Sequence, residues 1–268
     1  MRNPIDLLVG YVSPAAGLRR HYQRAALKRA HESASPRDSW RPSRAGASAN
    51  TDHRADAQAL RDKARALVQN VPYIRSGLDG KVAYLIGTGI ISRSVGARHA
   101  EAFNAAFERW SAVCDADGRH DWPGLQALIQ RTAEVDGEVL IRLRPRRRED
   151  GLPIPLQLQV LEIDWLDSSR NGVIDGEEVV NGIAYSALGK PAGYYLWDRH
   201  PGDLTSMRSR RTGSTRVDAR NILHYFDPQR PGQGRGFSNL ASIIARTRDV
   251  QTYEDAELAR KNQESRLG

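Results

Sequence analysis

Cysteine is almost absent from this chain: Cys114 is the one thiol in 268 residues. A lone thiol closes no internal disulfide and completes no cysteine-ligated metal centre, so an oxidising compartment is not indicated and inert burial is its expected role. Lysine is scarce too, occurring only at 28, 63, 81, 190 and 261, which leaves arginine as most of the 40 basic residues. Long apolar runs are missing, and nothing approaches the roughly 20 consecutive apolar residues of a membrane span. Near the start, Asp6 and Pro14 bracket too few apolar residues for a signal-peptide core. Synthesis and use in a reducing cytoplasm, with no membrane partner, are the expectation.

The familiar catalytic signatures are also lacking. The seven histidines form no HxxxH or HxH pair, and no GxSxG elbow accompanies them. The glycine-rich stretch "DPQRPGQGRGFSN" (227–239) contains no lysine for a P-loop. From Gly232 and Gly234, the third glycine of a dinucleotide fingerprint would fall at Phe237. By elimination the chain reads as non-catalytic and cofactor-free, with that stretch connecting a strand to a helix beginning near Ser238.

Abundant features are arginine and polar linker sequence. The formal charge is +8 and the mean hydropathy −0.58. Residues 1–54 hold ten Lys/Arg against four carboxylates, 204–220 hold five arginines against Asp218, and "RLRPRRRED" (142–150) holds five against two. Such clusters suit a phosphate backbone or an acidic partner; solvated basic loops in an arginine-biased chain are the alternative. The residues singled out for DNA or partner contact are Arg19, Arg20, Arg24, Lys28, Arg29, Arg208, Arg210 and Arg211.

Residues 1–50 read as a basic, flexible arm, because "HESASPRDSWRPSRAGASAN" has no apolar period. From Asp52 the pattern turns helical, with Leu60, Ala64, Leu67 and Val68 on one face. A second helix follows Asn70 as cap, with Ile74, Leu78, Val82 and Leu85 in a stripe and Gly87 and Gly89 as its stop. A third presents Phe103, Phe107 and Trp110, and a fourth starts at Asp121 and carries Leu125, Leu128 and Ile129. "EVLIRLR", "IPLQLQVLEI", "VVNGIAYSA", "AGYYLW" and "NILHYF" are strands, and a final helix runs from about Phe237 to Gln263. The expected class is α+β: N-terminal helices, a mainly antiparallel β-subdomain over the rest of 51–236, and a long C-terminal helix in 237–268.

Two local motifs suggest metals. "DSSRNGVIDGEE" fits a calcium loop with Asp167, Ser169, Asn171, Asp175 and Glu178 as ligands; a β-hairpin with an Asn-Gly turn accounts for the same residues. Glu162, Asp164 and Asp167 in "LEIDWLD" offer clustered oxygens of the kind a two-metal nuclease needs, and solvated carboxylates at a strand end are the alternative.

Seven stretches taken in order, "NVPYIRSGLDGKVAYLIGTGI", "DGEVLIRLR", "LQLQVLEIDWLD", "GIAYSALGKPAGYYLW", "HPGD", "ILHYFDPQRPGQGRGFSNLA" and "RDVQTYEDAELA", resemble the portal proteins of lambda-like tailed phages over about residues 51–260. The resemblance implies a non-enzymatic subunit of a dodecameric ring at a capsid vertex of the virion, made in the bacterial host cytoplasm. Double-stranded DNA, the terminase large subunit, and capsid, scaffold and head-completion proteins are the partners it implies. Within that family, Asp227, Pro228, Arg230, Pro231, Gly232, Gly234, Arg235 and Gly236 resemble a motif that turns the chain from the wing's β-subdomain into a long helix. Arg230 and Arg235 are then expected to reach acidic groups on the same or a neighbouring subunit, with the glycines permitting close backbone packing. Because "RKNQESRLG" stands where family members run on into stem and clip, a truncated prophage copy is the expectation. A basic DNA-binding or nuclease-like domain remains the alternative function.

Overall fold

The computed structural model describes residues 46–96, 98–203 and 213–267. Ser48–Gly268 forms a unit of its own, and it carries all the elements named below. The basic residues singled out at 19–29 and 208–211 lie outside the described residues. Among the described residues no helix is long and apolar enough to cross a membrane.

Among the described residues four helices come first: α1 (Ala49–Asn70), α2 (Pro72–Ile86), α3 (Ala100–Ser111) and α4 (Trp122–Asp136). Ser48 caps α1, its hydroxyl accepting from the Thr51 amide at 3.2 Å. Asn70 does not cap α2. It belongs to the last turn of α1, where its side-chain amide donates to the Ala66 carbonyl at 2.8 Å. Val71 occupies the cap with no side-chain bond, and Pro72 opens α2, a position that needs no amide hydrogen. The stripe of α2 also differs by one residue: Ile86, not Leu85, joins Leu78 and Val82 in the core, and Leu85 is exposed. Asp121 caps α4 by accepting from the Gly124 amide, and Gly137 ends that helix at φ 87°.

The strands form two antiparallel sheets. β1 (Glu138–Pro145) lies between β2 (Leu156–Leu161) and β8 (Ile222–Phe226). The second sheet is a meander of β3 (Gly172–Ile174), β4 (Glu177–Val180), β5 (Ile183–Tyr185), β6 (Pro191–Trp197) and β7 (Ser214–Asp218). "VVNGIAYSA" is therefore two strands. Asn181 and Gly182 both sit at positive φ between paired Val180 and Ile183, the backbone of a type I′ turn. Asp175 and Gly176 do the same between Ile174 and Glu177.

Strand alternation divides the core. Val139 and Ile141 of β1 join Trp110, Cys114, Leu125 and Ala133 under α3 and α4. Leu140 faces the opposite way, meeting Ile163, Ile183, Tyr194, Leu196 and Ile222 between the two sheets. Each of the fully buried aliphatics contributes about 1.5–3 kcal/mol. Phe107, Trp110 and Trp122 pack at 5.7–6.3 Å between ring centroids, whereas Phe103 on the same helix is exposed. Cys114 is fully buried, and burial pushes its thiol up to about 11. The last helix, α5 (Ile244–Leu267), starts later than its sequence suggested. Residues 237–240 are non-helical, and the Ser238 hydroxyl accepts from the Leu240 amide and so ties off a turn.

Candidate functional site

The buried stripe of α1 is His53, Ala57, Arg61, Ala64 and Leu67, so two polar side chains point into the protein from a helix otherwise packed on small and apolar residues. Each belongs to a network, and each network is centred on a carboxylate that follows or ends α4.

Glu138 is the first residue of β1 and is fully buried. Arg235 grips it from the 227–239 loop, Nε to Oε2 and Nη2 to Oε1, both at 2.8 Å. The Gly236 amide donates to Oε2 at 3.0 Å, and His224 Nε2 of β8 lies 3.0 Å from the same oxygen. His53 Nε2 stands 3.3 Å from Oε1 and 3.0 Å from the Gly236 carbonyl. The remaining Arg235 nitrogen, Nη1, donates to the Asn181 carbonyl at 3.0 Å and the Ser168 hydroxyl at 3.2 Å. One carboxylate thus fastens α1, β1, β8, the loop and the β4–β5 turn. Burial alone would raise the Glu138 carboxyl, but the Arg235 charge and the hydrogen bonds from His224, His53 and Arg235 hold it well below the usual carboxylate range.

The loop folds on itself to deliver Arg235. The Gln233 side chain accepts from the Gln229 and Arg230 amides and donates to the Arg235 carbonyl at 2.7 Å. Asn50 of α1 accepts from the Gly234 amide and donates to the Gly232 carbonyl. Arg230 reaches Asp52 at 3.0 Å, and Asn239 donates to Glu134 at the end of α4. Gly236 is required by space, because a Cβ there would stand 2.1 Å from the Gly137 carbonyl oxygen; one on Gly234 would meet the end of a side chain, the Tyr185 hydroxyl, at 2.5 Å. Pro228 and Pro231 fix φ on either side of Arg230. Asp227 opens the segment directly after β8.

The second network surrounds Asp136, the last residue of α4. Arg65 holds it with Nε at 2.8 Å and Nη2 at 2.6 Å, and the same Nη2 lies 2.7 Å from Asp164. Arg61 adds a contact to Asp164 at 3.2 Å. Burial raises the Asp136 carboxyl despite Arg65. Asp164, equally opposed by burial, is drawn down by Arg61 and Arg65. Glu162, Asp164 and His200 bring their ligand atoms within 4.8 Å of one another. Arg65 already stands in that space, 3.5 Å from Glu162, and His200 contacts Glu162 at 3.1 Å. Glu162 and Asp164 do not lie along a strand, because Ile163–Trp165 is a single 3₁₀ turn.

Asp167 is buried and apart from that group. Its Oδ1 accepts from the Ser169 amide and hydroxyl, and its Oδ2 from the Ser214 hydroxyl at 2.6 Å and Arg170 at 3.4 Å. Asn171 bonds the Ser168 and Ser169 carbonyls and the Asn181 amide. Asp175 sits in the β3–β4 turn and Glu178 across from Val173 in β4. The structure thus distributes these five residues along a turn and a hairpin, and the hairpin's turn is Asp175-Gly176, four residues on from Asn171-Gly172, whose glycine instead opens β3.

Sequence reasoning picked out Arg230 and Arg235 but not Glu138, His53 or Arg61. The available signal was polar residues recurring at 53 and 61 on the helical stripe with Ala57 and Ala64, and Glu138 alternating with apolar Leu140 on one strand face.

The family described as phage portal protein, lambda family, matches residues 34–268 of this chain. A protein of Halomonas phage phiHAP-1, described as a probable portal protein, is 33% identical over 165 residues, which make up 60% of this chain and 31% of the relative. The match thus spans about a third of that curated relative's length.

Proposed function

The chain belongs to the lambda family of phage portal proteins, and from that membership we propose that it is a structural, non-catalytic subunit of a portal ring at a capsid vertex, through which double-stranded DNA is packaged and ejected. The ring is dodecameric in this reading, docks the terminase large subunit, contacts capsid, scaffold and head-completion proteins, and resides in the virion.

One observation carries the proposal beyond membership. The domain fastens its interior through Glu138 yet leaves a groove of about 490 Å³ open along β8, lined by Ile86, Ile129, Ile141, Leu223 and Tyr225. On the edge strand β8, Leu223 is 55% and Tyr225 48% exposed, while their partners on β1, Ile141 and Val139, are buried. A folded domain with an uncovered apolar edge suits assembly, and a head-to-tail contact of unlike faces closes into a ring when its rotation permits. A second copy is the occupant this reading assigns to the groove.

Chemical cross-linking followed by negative-stain electron microscopy tests it. The reading expects a ladder of multimers and ring-shaped particles, both lost in Leu223→Glu/Tyr225→Glu. Cross-linking confined to the monomer in the unaltered chain contradicts it.

A further inference from the structure

The described arginines fall into three groups. Several are held by carboxylates, including Arg61, Arg65, Arg131, Arg170, Arg216 and Arg235. Others lie on the open surface. Arg142 and Arg144 fit neither group: both are half-buried on β1, and among the described residues neither guanidinium has a hydrogen-bond or carboxylate partner. Two apart in a strand, they project from the same face at a spacing of about 6.6 Å. They line a polar groove of about 260 Å³ with Arg146, Val217 and Asn221. Burial and the adjacent Arg144 charge push the Arg142 guanidinium below its usual value, as expected of like charges held together without a counter-charge.

We propose that this groove binds the phosphodiester backbone of double-stranded DNA, with Arg142 and Arg144 each engaging a phosphate. A planar guanidinium matches the oxygens of a phosphate with paired donors. Arg146, whose Nε donates to Gln157 at 2.9 Å, adds a third charge to the groove, and Arg147 and Arg148 follow it in sequence beyond the end of β1, which favours a ligand with repeated anionic groups over a single ion. The choice of double-stranded DNA as the ligand rests on the portal reading; the groove shares no lining residue with the Glu138 network, and binding is read on the chain whatever its oligomeric state.

Binding of a labelled short duplex is measured by fluorescence anisotropy from about 0.05 to 0.3 M salt, because each phosphate contact adds about 0.9 to the slope of log affinity against log salt. The proposal expects the magnitude of the slope to fall by about 1.8 in Arg142→Ala/Arg144→Ala. It expects little change in Arg142→Lys/Arg144→Lys, which keeps both charges, or in Arg75→Ala, which removes an exposed charge on α2. Thermal melting checks that the variants remain folded, and Arg142→Gln/Arg144→Gln, which removes both charges while keeping most of the side-chain bulk, replaces the alanine pair if that pair does not fold. An unchanged slope in the alanine pair overturns the site, as does an equal fall in the lysine pair or in Arg75→Ala. Inorganic phosphate competing at millimolar concentration as well as the duplex does would reassign the groove to single phosphate ions. Poly-glutamate binding through the same two arginines, with DNA binding unaffected by them, would reassign it to an acidic protein partner.

Discussion

Arg235 and Glu138, 97 residues apart in sequence, meet through two parallel hydrogen bonds of 2.8 Å with both side chains almost wholly removed from solvent. Breaking a buried pair by removing one partner leaves the other charge stranded, which costs about 3–5 kcal/mol. Arg235→Ala is therefore expected to lower unfolding stability by that amount in urea titration. Glu138→Gln/Arg235→Met, which removes both charges, recovers part of the loss. A cost below about 1 kcal/mol for the single variant contradicts the fastening role assigned to this pair.

Acid sensitivity follows from the same carboxylate. Its folded pKa lies well below the usual value near 4.3, so its contribution is fully present above that value and is lost as pH falls through the depressed one. Asp164 and Asp167 are shifted in the same direction. Asp136 is raised and works with the opposite sign, favouring the fold at low pH and losing that contribution as pH rises through its folded value. The net expectation is a urea midpoint that declines from pH 5 to pH 3. Glu138→Gln, though weaker at neutral pH, declines less steeply; a parallel decline in both proteins would show that Glu138 does not govern it.

The loop glycines rank by space rather than by backbone angle alone. Gly236→Ala drives a Cβ into the Gly137 carbonyl 2.1 Å away, with the Phe226 Cβ only 2.8 Å from it as well. It is expected to destabilise by several kcal/mol, or to prevent accumulation of folded protein. Gly232 has φ 75° but open surroundings, so Gly232→Ala carries only the left-handed penalty of about 1–2 kcal/mol. Thermal melting of the two variants checks the order.

Calcium is expected to leave the melting temperature unchanged, because four hydrogen bonds from Ser169, Ser214 and Arg170 already occupy both Asp167 oxygens. A ligand that binds only the folded state raises that temperature by mass action. An upward shift with calcium that Glu178→Ala abolishes would contradict this expectation.

The α+β order was legible because periodicity and turn residues speak locally: Asp121 and Gly137 mark both ends of α4, although "VVNGIAYSA", read as one strand, is divided by the Asn181-Gly182 turn. Elements that depend on distant neighbours were less so. Ile86 replaces Leu85 in the α2 stripe because α4 packs on that side. The last helix starts late because Ser238 and Asn239 bond to a turn and to Glu134 instead. The resemblance pointed to Arg235, but nothing near Glu138 in sequence announces its partners, since His53, His224 and Arg235 arrive from three separate elements.

The most direct test of the assembly reading is the solution mass of the purified chain by light scattering over a concentration series. The account predicts a mass rising with concentration toward a discrete multimer, shifted back toward the monomer by Leu223→Glu/Tyr225→Glu. A constant mass near 29.8 kDa at every concentration would contradict it.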